Sequence, residues 1–141
     1  MPTTAPNPDP MHIAERITMT IKIAHLIIPT DDQDRALAFY TDILGFEKRT
    51  ELPFGGGLRW IEVAPAGSAT SIAICPPGPD VTAGGKETGI SLHTEDVDAL
   101  HAHLKANNVD VDDSIGRYEG VPPTFWFRDP EGNSLMVSQA S

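Results

Sequence analysis

The stretch Asp129-Pro130-Glu131-Gly132-Asn133, followed by Ser134-Leu135-Met136-Val137, decides the fold of this chain. Asp, Pro, Gly and Asn each favour tight backbone geometry, so the first five residues predict a turn. Phe125-Trp126-Phe127 before the turn and Leu135-Met136-Val137 after it predict two short β-strands. The stretch therefore predicts a β-hairpin, and a weaker copy of its turn occurs earlier in the chain.

The chain repeats itself at an interval of 64 to 65 residues. A shift of 64 places His25-Leu26-Ile27-Ile28 on Gly89-Ile90-Ser91-Leu92, and a shift of 65 places Pro65-Ala66-Gly67 on Pro130-Glu131-Gly132. A period of this length is too long for a solenoid unit. We interpret the repeat as two βαβββ modules, over about residues 20–77 and 86–140.

Each module also predicts one helix near its start. Apolar residues recur at helical spacing from Ala36 to Leu44, with Asp31 or Asp32 before them as the N-cap. In the second half, Asp96 stands before a helix predicted over residues 97–107. The two halves together predict an α+β fold, in which two βαβββ modules form a curved, mostly antiparallel eight-stranded sheet around a cleft.

Composition limits what the protein can bind. The chain has 141 residues and a formal net charge of −10, which argues against nucleic acid and anionic membranes as partners. No apolar run is long enough for a membrane helix. The single cysteine, Cys75, excludes an internal disulfide and fits a reducing compartment, so we expect a cytoplasmic protein. Proline-rich residues 1–19 predict a flexible N-terminal arm before a domain over residues 20–141.

Strand parity separates two faces of the predicted sheet. One set is uniformly apolar and is expected to pack beneath the helices: Ala24, Leu26, Ile28, Ile72, Ile74, Ile90, Leu92, Leu135 and Val137. The other set mixes small, polar and adaptable residues: Ile23, His25, Ile27, Ser71, Ala73, Cys75, Gly89, Ser91, His93, Ser134, Met136 and Ser138. A solvent-exposed face would contain Lys and Glu, and the second set contains neither. Its composition therefore favours a cavity with a few polar anchors.

The order of these motifs resembles the vicinal oxygen chelate superfamily, the fold of glyoxalases, bleomycin-resistance proteins and extradiol dioxygenases. The resemblance rests on three stretches and covers about residues 21–139: His25-Leu26 with Phe39-Tyr40 and Leu44-Gly45-Phe46, then Asp96-Val97-Asp98-Ala99-Leu100, then Phe127-Arg128-Asp129-Pro130-Glu131-Gly132-Asn133. It implies the fold, but not one chemistry, because this fold carries several reactions and also plain binding proteins.

The resemblance also implies where a metal ion would sit in metal-dependent members. Those positions are His25, Ala73, Gly89 and Met136 in this chain. Ala and Gly have no donor atom and a Met thioether is a soft ligand, whereas a catalytic metal needs about three protein ligands. His93 lies two residues too far along its strand, and Glu62 lies on another strand. We therefore expect no cofactor, and the residues do not support a divalent metal.

The candidate ligand-binding residues combine aromatic and polar side chains. Trp60 and Trp126 lie on equivalent strands and could hold a planar ligand between them. His25 is the best candidate for a hydrogen-bonding or catalytic group, although a buried histidine bonded to backbone is an equal alternative. Arg59 could attract an anionic ligand. The full set is His25, Arg59, Trp60, Ser91, His93, Trp126 and Met136.

Three functions remain open at this point. The first is binding of a small, planar or apolar molecule in a metal-free cleft, as in bleomycin-resistance proteins, in which two chains form the crevice; this reading predicts a homodimer. The second is a metal-dependent lyase, isomerase or dioxygenase of the same superfamily that uses His25. The third is an accessory or regulatory subunit whose acidic surface meets a partner.

Overall fold

The structure, a computed structural model, describes residues 20–141, and the arm expected over residues 1–19 lies outside this range. The first module contains strand β1 (His25–Pro29), helix α1 (Gln33–Ala38), a π-helical turn (Phe39–Ile43) and strands β2 (Glu47–Gly55), β3 (Leu58–Ala64) and β4 (Ser71–Cys75). These strands form a sheet in the order β1-β4-β3-β2, in which β1 runs parallel to β4 and the other pairs are antiparallel.

The second module repeats this plan with one interruption. It contains β5 (Glu87–Thr94), helix α2 (Val97–Ala106), β6 (Asp110–Val111), β7 (Gly116–Tyr118), β8 (Val121–Arg128) and β9 (Ser134–Gln139). The sheet order is β5-β9-β8-β6, with β7 also paired to β8 and β5 parallel to β9. β6 and β7 together occupy the place of β2, and a short loop separates them.

The predicted fold class is confirmed, because both modules and the α+β architecture are present. The described strands hydrogen-bond as a four-stranded and a five-stranded sheet rather than as one continuous sheet of eight. The extra strand arises at Asp112, where the edge strand breaks. Its carboxylate accepts the Trp126 backbone N–H at 3.0 Å and its own N–H donates to the Trp126 carbonyl at 3.0 Å.

The predicted N-caps are also confirmed. The Asp32 carboxylate accepts the backbone N–H of Arg35 at 3.1 Å, and the Asp96 carboxylate accepts that of Ala99 at 3.0 Å. Each bond satisfies an N–H group that the first turn of a helix leaves without a backbone partner. The same residue type therefore starts the helix in both modules.

The two sheets and the two helices share one hydrophobic core. Phe39 at the end of α1 contacts the ring of Phe127 on β8, with centroids 6.1 Å apart, so the first helix packs against the second sheet. The predicted inward set contributes Ile28, Ile72, Ile74, Leu135 and Val137 to this core, whereas Leu26 is 44% exposed. Each sheet turns one face to this shared core, which therefore lies between the two outer faces.

The turn at residues 129–133 joins the modules. The buried Asp129 carboxylate accepts the Tyr40 hydroxyl at 2.9 Å, and Glu131 Oε1 accepts the backbone N–H groups of Asp31 and Asp32 at 3.0 and 2.9 Å. The segment between β4 and β5 also contacts this turn at Gly84, where an added Cβ would lie 2.8 Å from the Glu131 carbonyl oxygen. Only glycine fits there, since its φ of +84° is also in the left-handed region.

Candidate functional site

The face of the first sheet that points away from the core carries the clearest constellation of side chains. We call it the first open face and define it by His25 and Ile27 on β1, Trp60 and Glu62 on β3, and Ser71 and Ala73 on β4. Alternation along the strands places these residues opposite the core residues Ile28, Ile61, Val63, Ile72 and Ile74. β4 is buried along its whole length, so other side chains cover its outward residues.

The rings of His25 and Trp60 meet across β4. Their centroids are 5.1 Å apart at an interplanar angle of 75°, an edge-to-face contact. β4 separates β1 from β3, whose backbones are therefore about 10 Å apart. Ala73 lies between the two rings in the register and is fully buried. A side chain no larger than a methyl group at this position allows the two rings to touch.

Glu62 is held by two donors on the same face. The Trp60 indole N–H donates to Glu62 Oε2 at 2.8 Å, and the Ser71 hydroxyl donates to Glu62 Oε1. The hydrogen bond from Ser71, then that from Trp60, and the nearby charge of His25 lower the pKa of Glu62 from its ordinary value. The carboxylate is therefore ionised at neutral pH, and the indole ring is fixed in orientation by its bond to it.

The second sheet has a corresponding outer face with different chemistry. We call it the second open face and define it by Ser91 and His93 on β5, Thr124 and Trp126 on β8, and Met136 and Ser138 on β9. Ser91, Met136 and Trp126 lie side by side in the register, and the hydroxyls of Thr124 and Ser138 are 3.0 Å apart. This face carries a row of a hydroxyl, a thioether and an indole.

The structure therefore brings the predicted site residues into two groups. His25 and Trp60 lie on the first open face, while Ser91, His93, Trp126 and Met136 lie on the second. The hydrogen bonds and ring contact given above each stay within one group. Since the shared core lies between the two faces, Trp60 and Trp126 of one chain do not enclose a common space.

Arg59 does not join either group. It lies on the opposite side of β3 from Trp60, where its guanidinium binds Asp34 at 2.5 Å and Glu51 at 3.1 Å. Its backbone carbonyl accepts the side-chain amide of Gln33 at 2.5 Å. Arg59 therefore connects α1 to the hairpin of β2 and β3, and the structure gives no support to its predicted role as a ligand contact.

Sequence reasoning missed Glu62, the best-oriented polar group of the first open face. Its place on β3 is not one of the ligand positions that the resemblance implies. A local signal was available, because Trp60 and Glu62 are two residues apart on one strand and must share a face. Strand parity places Ser71, the second donor, on this face, but parity does not predict its hydrogen bond to Glu62.

The residues do not fit the divalent metal that the resemblance implies. Ala73 is buried and has no donor atom, and Gly89 likewise has none. Glu62 lies near His25, but these two side chains are fewer than the about three protein ligands that a catalytic metal needs. Within residues 20–141 no group of three or more His, Cys, Asp or Glu side chains is placed to hold a metal ion.

Comparison with known proteins identifies the family. Residues 22–137 match the model of the Glyoxalase/Bleomycin resistance protein/Dioxygenase superfamily. The chain belongs to this superfamily. Among the described residues, no helix combines the length and apolar character needed to cross a membrane.

Several known proteins are similar to this chain over almost their whole length. TnmS3, an antibiotic-binding protein from Streptomyces sp. CB03234, is 32% identical, with 86% of this chain and 97% of that chain covered and a TM-score of 0.76. A superfamily member from Sphaerobacter thermophilus DSM 20745 is 31% identical, with 86% and 99% covered and a TM-score of 0.79. The uncharacterized protein YetH of Bacillus subtilis (strain 168) is 27% identical over 122 residues, which are 86% of this chain and 100% of that protein.

Proposed function

We propose that this protein binds a small, planar or apolar molecule without a metal ion, at a cleft built from its open faces. The observation that carries this proposal is the His25–Trp60 ring pair above Ala73, which is held in place by the bond from Trp60 to Glu62. The Trp60 indole alone presents a flat face of fixed orientation, which is suited to stacking with a flat ligand. The similarity to TnmS3, an antibiotic-binding protein, supports the same class of function.

Apolar side chains surround this ring pair. Ile27, Leu52 and Leu58 are 55%, 57% and 45% exposed, and strand register places all three on the side of the sheet that carries Trp60. Large exposed apolar residues grouped on one face indicate a binding surface rather than a solvated one. A drug-sized apolar molecule would bury part of this area.

The cleft needs a second copy of the chain in this proposal. The two open faces lie on either side of the shared core, so a cleft that uses both is formed when the first open face of one protomer opposes the second open face of its partner. Exposed Ile21 and Ile23, at 64% and 71%, precede β1 and add apolar area beside its edge. We therefore infer a homodimer in which Trp60 of one protomer and Trp126 of the other contribute to the same cleft.

The experiment is a tryptophan-fluorescence titration with a panel of planar drugs and metabolites that includes the acridines proflavine and acridone. We expect at least one member to quench the wild-type emission saturably. His25→Ala removes one ring of the pair and should raise Kd about fivefold, because such ring contacts contribute about 1 kcal/mol. The matched control is His103→Ala, which changes an exposed histidine on α2 and should leave Kd unaltered.

Two further measurements separate this proposal from its rivals. Light scattering should give the mass of a dimer, and a monomer that binds the ligand equally well would overturn the shared cleft. Near-stoichiometric Zn, Mn, Fe or Ni in the purified protein, lost in His25→Ala, would overturn the metal-free site and favour the lyase, isomerase or dioxygenase alternative. A panel without any quenching would favour an accessory subunit.

A further inference from the structure

Glu62 places a charge in surroundings that are otherwise apolar and aromatic. The register row across the first open face runs Ile27, Ala73, Glu62, so the carboxylate lies on the same row as an exposed isoleucine and next to the ring pair of His25 and Trp60. A partly buried carboxylate is costly unless donors satisfy it. A partly buried carboxylate at a ligand-binding surface is therefore stabilised when the ligand supplies a hydrogen-bond donor.

The donors within the chain satisfy only part of this carboxylate. Trp60 and Ser71 supply one hydrogen bond to each oxygen. An ionised carboxylate has about four acceptor positions, so each oxygen can accept one more hydrogen bond. The bond from Trp60 also fixes the distance between the aromatic plane and the charge, because donor and acceptor are two residues apart on one strand.

We propose that Glu62 is the ligand anchor of this cleft, and that the ligand is a flat molecule bearing a protonated nitrogen. The aromatic body of such a molecule lies against Trp60 and His25, and its N–H group donates to the free acceptor positions of Glu62. Charge-assisted hydrogen bonds of this type are stronger than neutral ones and fix orientation. This inference rests on the proposed function and adds the chemical class of its ligand.

The rest of the charge distribution is consistent with a cationic ligand. The protein carries a formal net charge of −10, which attracts cations from solution. The arginine nearest in sequence, Arg59, lies on the opposite face and is bound to Asp34 and Glu51. On the second open face, Arg128 is bound to Asp112 through two contacts of 3.1 Å.

The test compares two flat tricyclic probes on one protein. Proflavine is protonated at neutral pH, and acridone is neutral and of similar size. We expect wild type to bind proflavine at least tenfold more tightly than acridone at moderate salt. Glu62→Gln keeps the shape of the side chain and should remove most of this preference while changing the acridone Kd by less than about twofold.

A matched control exists on the other face of the same hairpin. Glu51 is half-buried, its pKa is also lowered, chiefly by its hydrogen bond from Lys48, and it binds Arg59. Glu51→Gln and Glu62→Gln both change the net charge from −10 to −9, so long-range attraction of cations falls equally in the two variants. Only Glu62→Gln should abolish the preference for proflavine.

A pH profile gives a second readout. The preference for proflavine should be lost as the pH falls through the ordinary glutamate range near pH 4.3, because the carboxylate must be ionised to bind the cation. His25 is the other titratable group beside Glu62, so the profile is also recorded in His25→Ala, where the loss should remain. Ser71→Ala removes the donor that contributes most to the lowered pKa of Glu62. The pH at which the preference is lost should therefore move upward in this variant.

Each outcome decides between the two proposals. Equal preference for proflavine in wild type and Glu62→Gln would overturn the anchor and leave the binding function standing. So would an equal loss of both probes in Glu62→Gln, which would make Glu62 a positioning residue for Trp60. Quenching of wild type by neutral panel members alone also overturns the anchor. A panel without any quenching overturns the binding function itself.

Discussion

Equivalent turns occur in the two modules, one between β3 and β4 and the other between β8 and β9. They differ in the residues to which they are hydrogen-bonded. In the first, the Ser68 N–H donates to the Pro65 carbonyl at 3.1 Å, and the Arg49 guanidinium binds the carbonyls of Pro65, at 3.0 Å, and Ser68. Ala66 and Gly67 are exposed. Each of these hydrogen bonds stays within the first module.

The second turn is organised around a buried carboxylate. Asp129 accepts the Tyr40 hydroxyl at 2.9 Å, the Asn133 amide at 3.0 Å, and the backbone N–H groups of Glu131 and Asn133, each at 3.0 Å. The residue at the equivalent place in the first module is Ala64. The repeat therefore specifies the topology of each module, whereas two side chains that are not repeated, those of Asp129 and Glu131, bond one module to the other.

Asp129→Ala should have the largest effect of the changes that test this comparison. The substitution gives the second turn the residue of the first, but it leaves four donors without their acceptor in a buried position. We expect the free energy of unfolding to fall by about 3 to 5 kcal/mol. Urea denaturation followed by circular dichroism measures it, and a loss below about 1 kcal/mol would show that the two turns are interchangeable.

Tyr40→Phe tests one contact between the modules, the hydrogen bond from the Tyr40 hydroxyl to Asp129, and leaves the rest of the turn intact. It removes one hydrogen bond to a charged acceptor, so we expect a loss of about 1.5 to 3 kcal/mol in the free energy of unfolding. Leu104, the equivalent residue of the second module, is also fully buried but has no hydroxyl. An unchanged stability in Tyr40→Phe would mean that packing, and not the hydroxyl, joins the modules.

The pH dependence of the same variant sharpens this test. Burial, followed by the charge of and hydrogen bond to Asp129, raises the pKa of Tyr40 well above its ordinary value near 10. The unfolded chain therefore releases this proton first, and stability falls as the pH rises above about 10. Tyr40→Phe should remove this part of the alkaline loss, which denaturation at pH 8 and pH 11 measures.

Arg49→Ala should have the smallest effect. Its bonds to the first turn lie at the surface, where solvent replaces much of what the guanidinium supplies. We expect a loss of about 0.5 to 1 kcal/mol in the same urea experiment. A loss as large as that of Asp129→Ala would contradict the distinction between a simple turn and a turn that joins modules.

Much of the fold could be predicted because it depends on local chemistry. Turn residues at positions 129–133, aspartates before both helices and alternating apolar residues in the strands each act within a few residues of their own position. Parity correctly assigned Ile72, Ile74, Leu135 and Val137 to the core. These signals do not depend on how the modules pack.

The rest could not be predicted because it depends on contacts between distant side chains. Tyr40 and Asp129 are 89 positions apart, and neither residue type by itself indicates the other. Parity could assign Ser71 to a face, but not Trp60 and Glu62 as its neighbours, since that requires the order of β3 and β4 in the sheet. Arg59 is a predicted ligand contact like Trp60, although adjacent strand residues point to opposite faces.

The burial of β4 has a consequence for measuring ligand binding. Cys75, the last residue of β4 and the single cysteine of the chain, is 3% exposed, and burial raises the pKa of its thiol. A thiol reagent can reach Cys75 only when the surrounding structure opens locally. The rate of labelling therefore measures how often this local opening occurs. A molecule seated on the first open face would make this opening rarer. The labelling rate of Cys75 would therefore report occupancy of the first open face, even for ligands with no colour or fluorescence of their own.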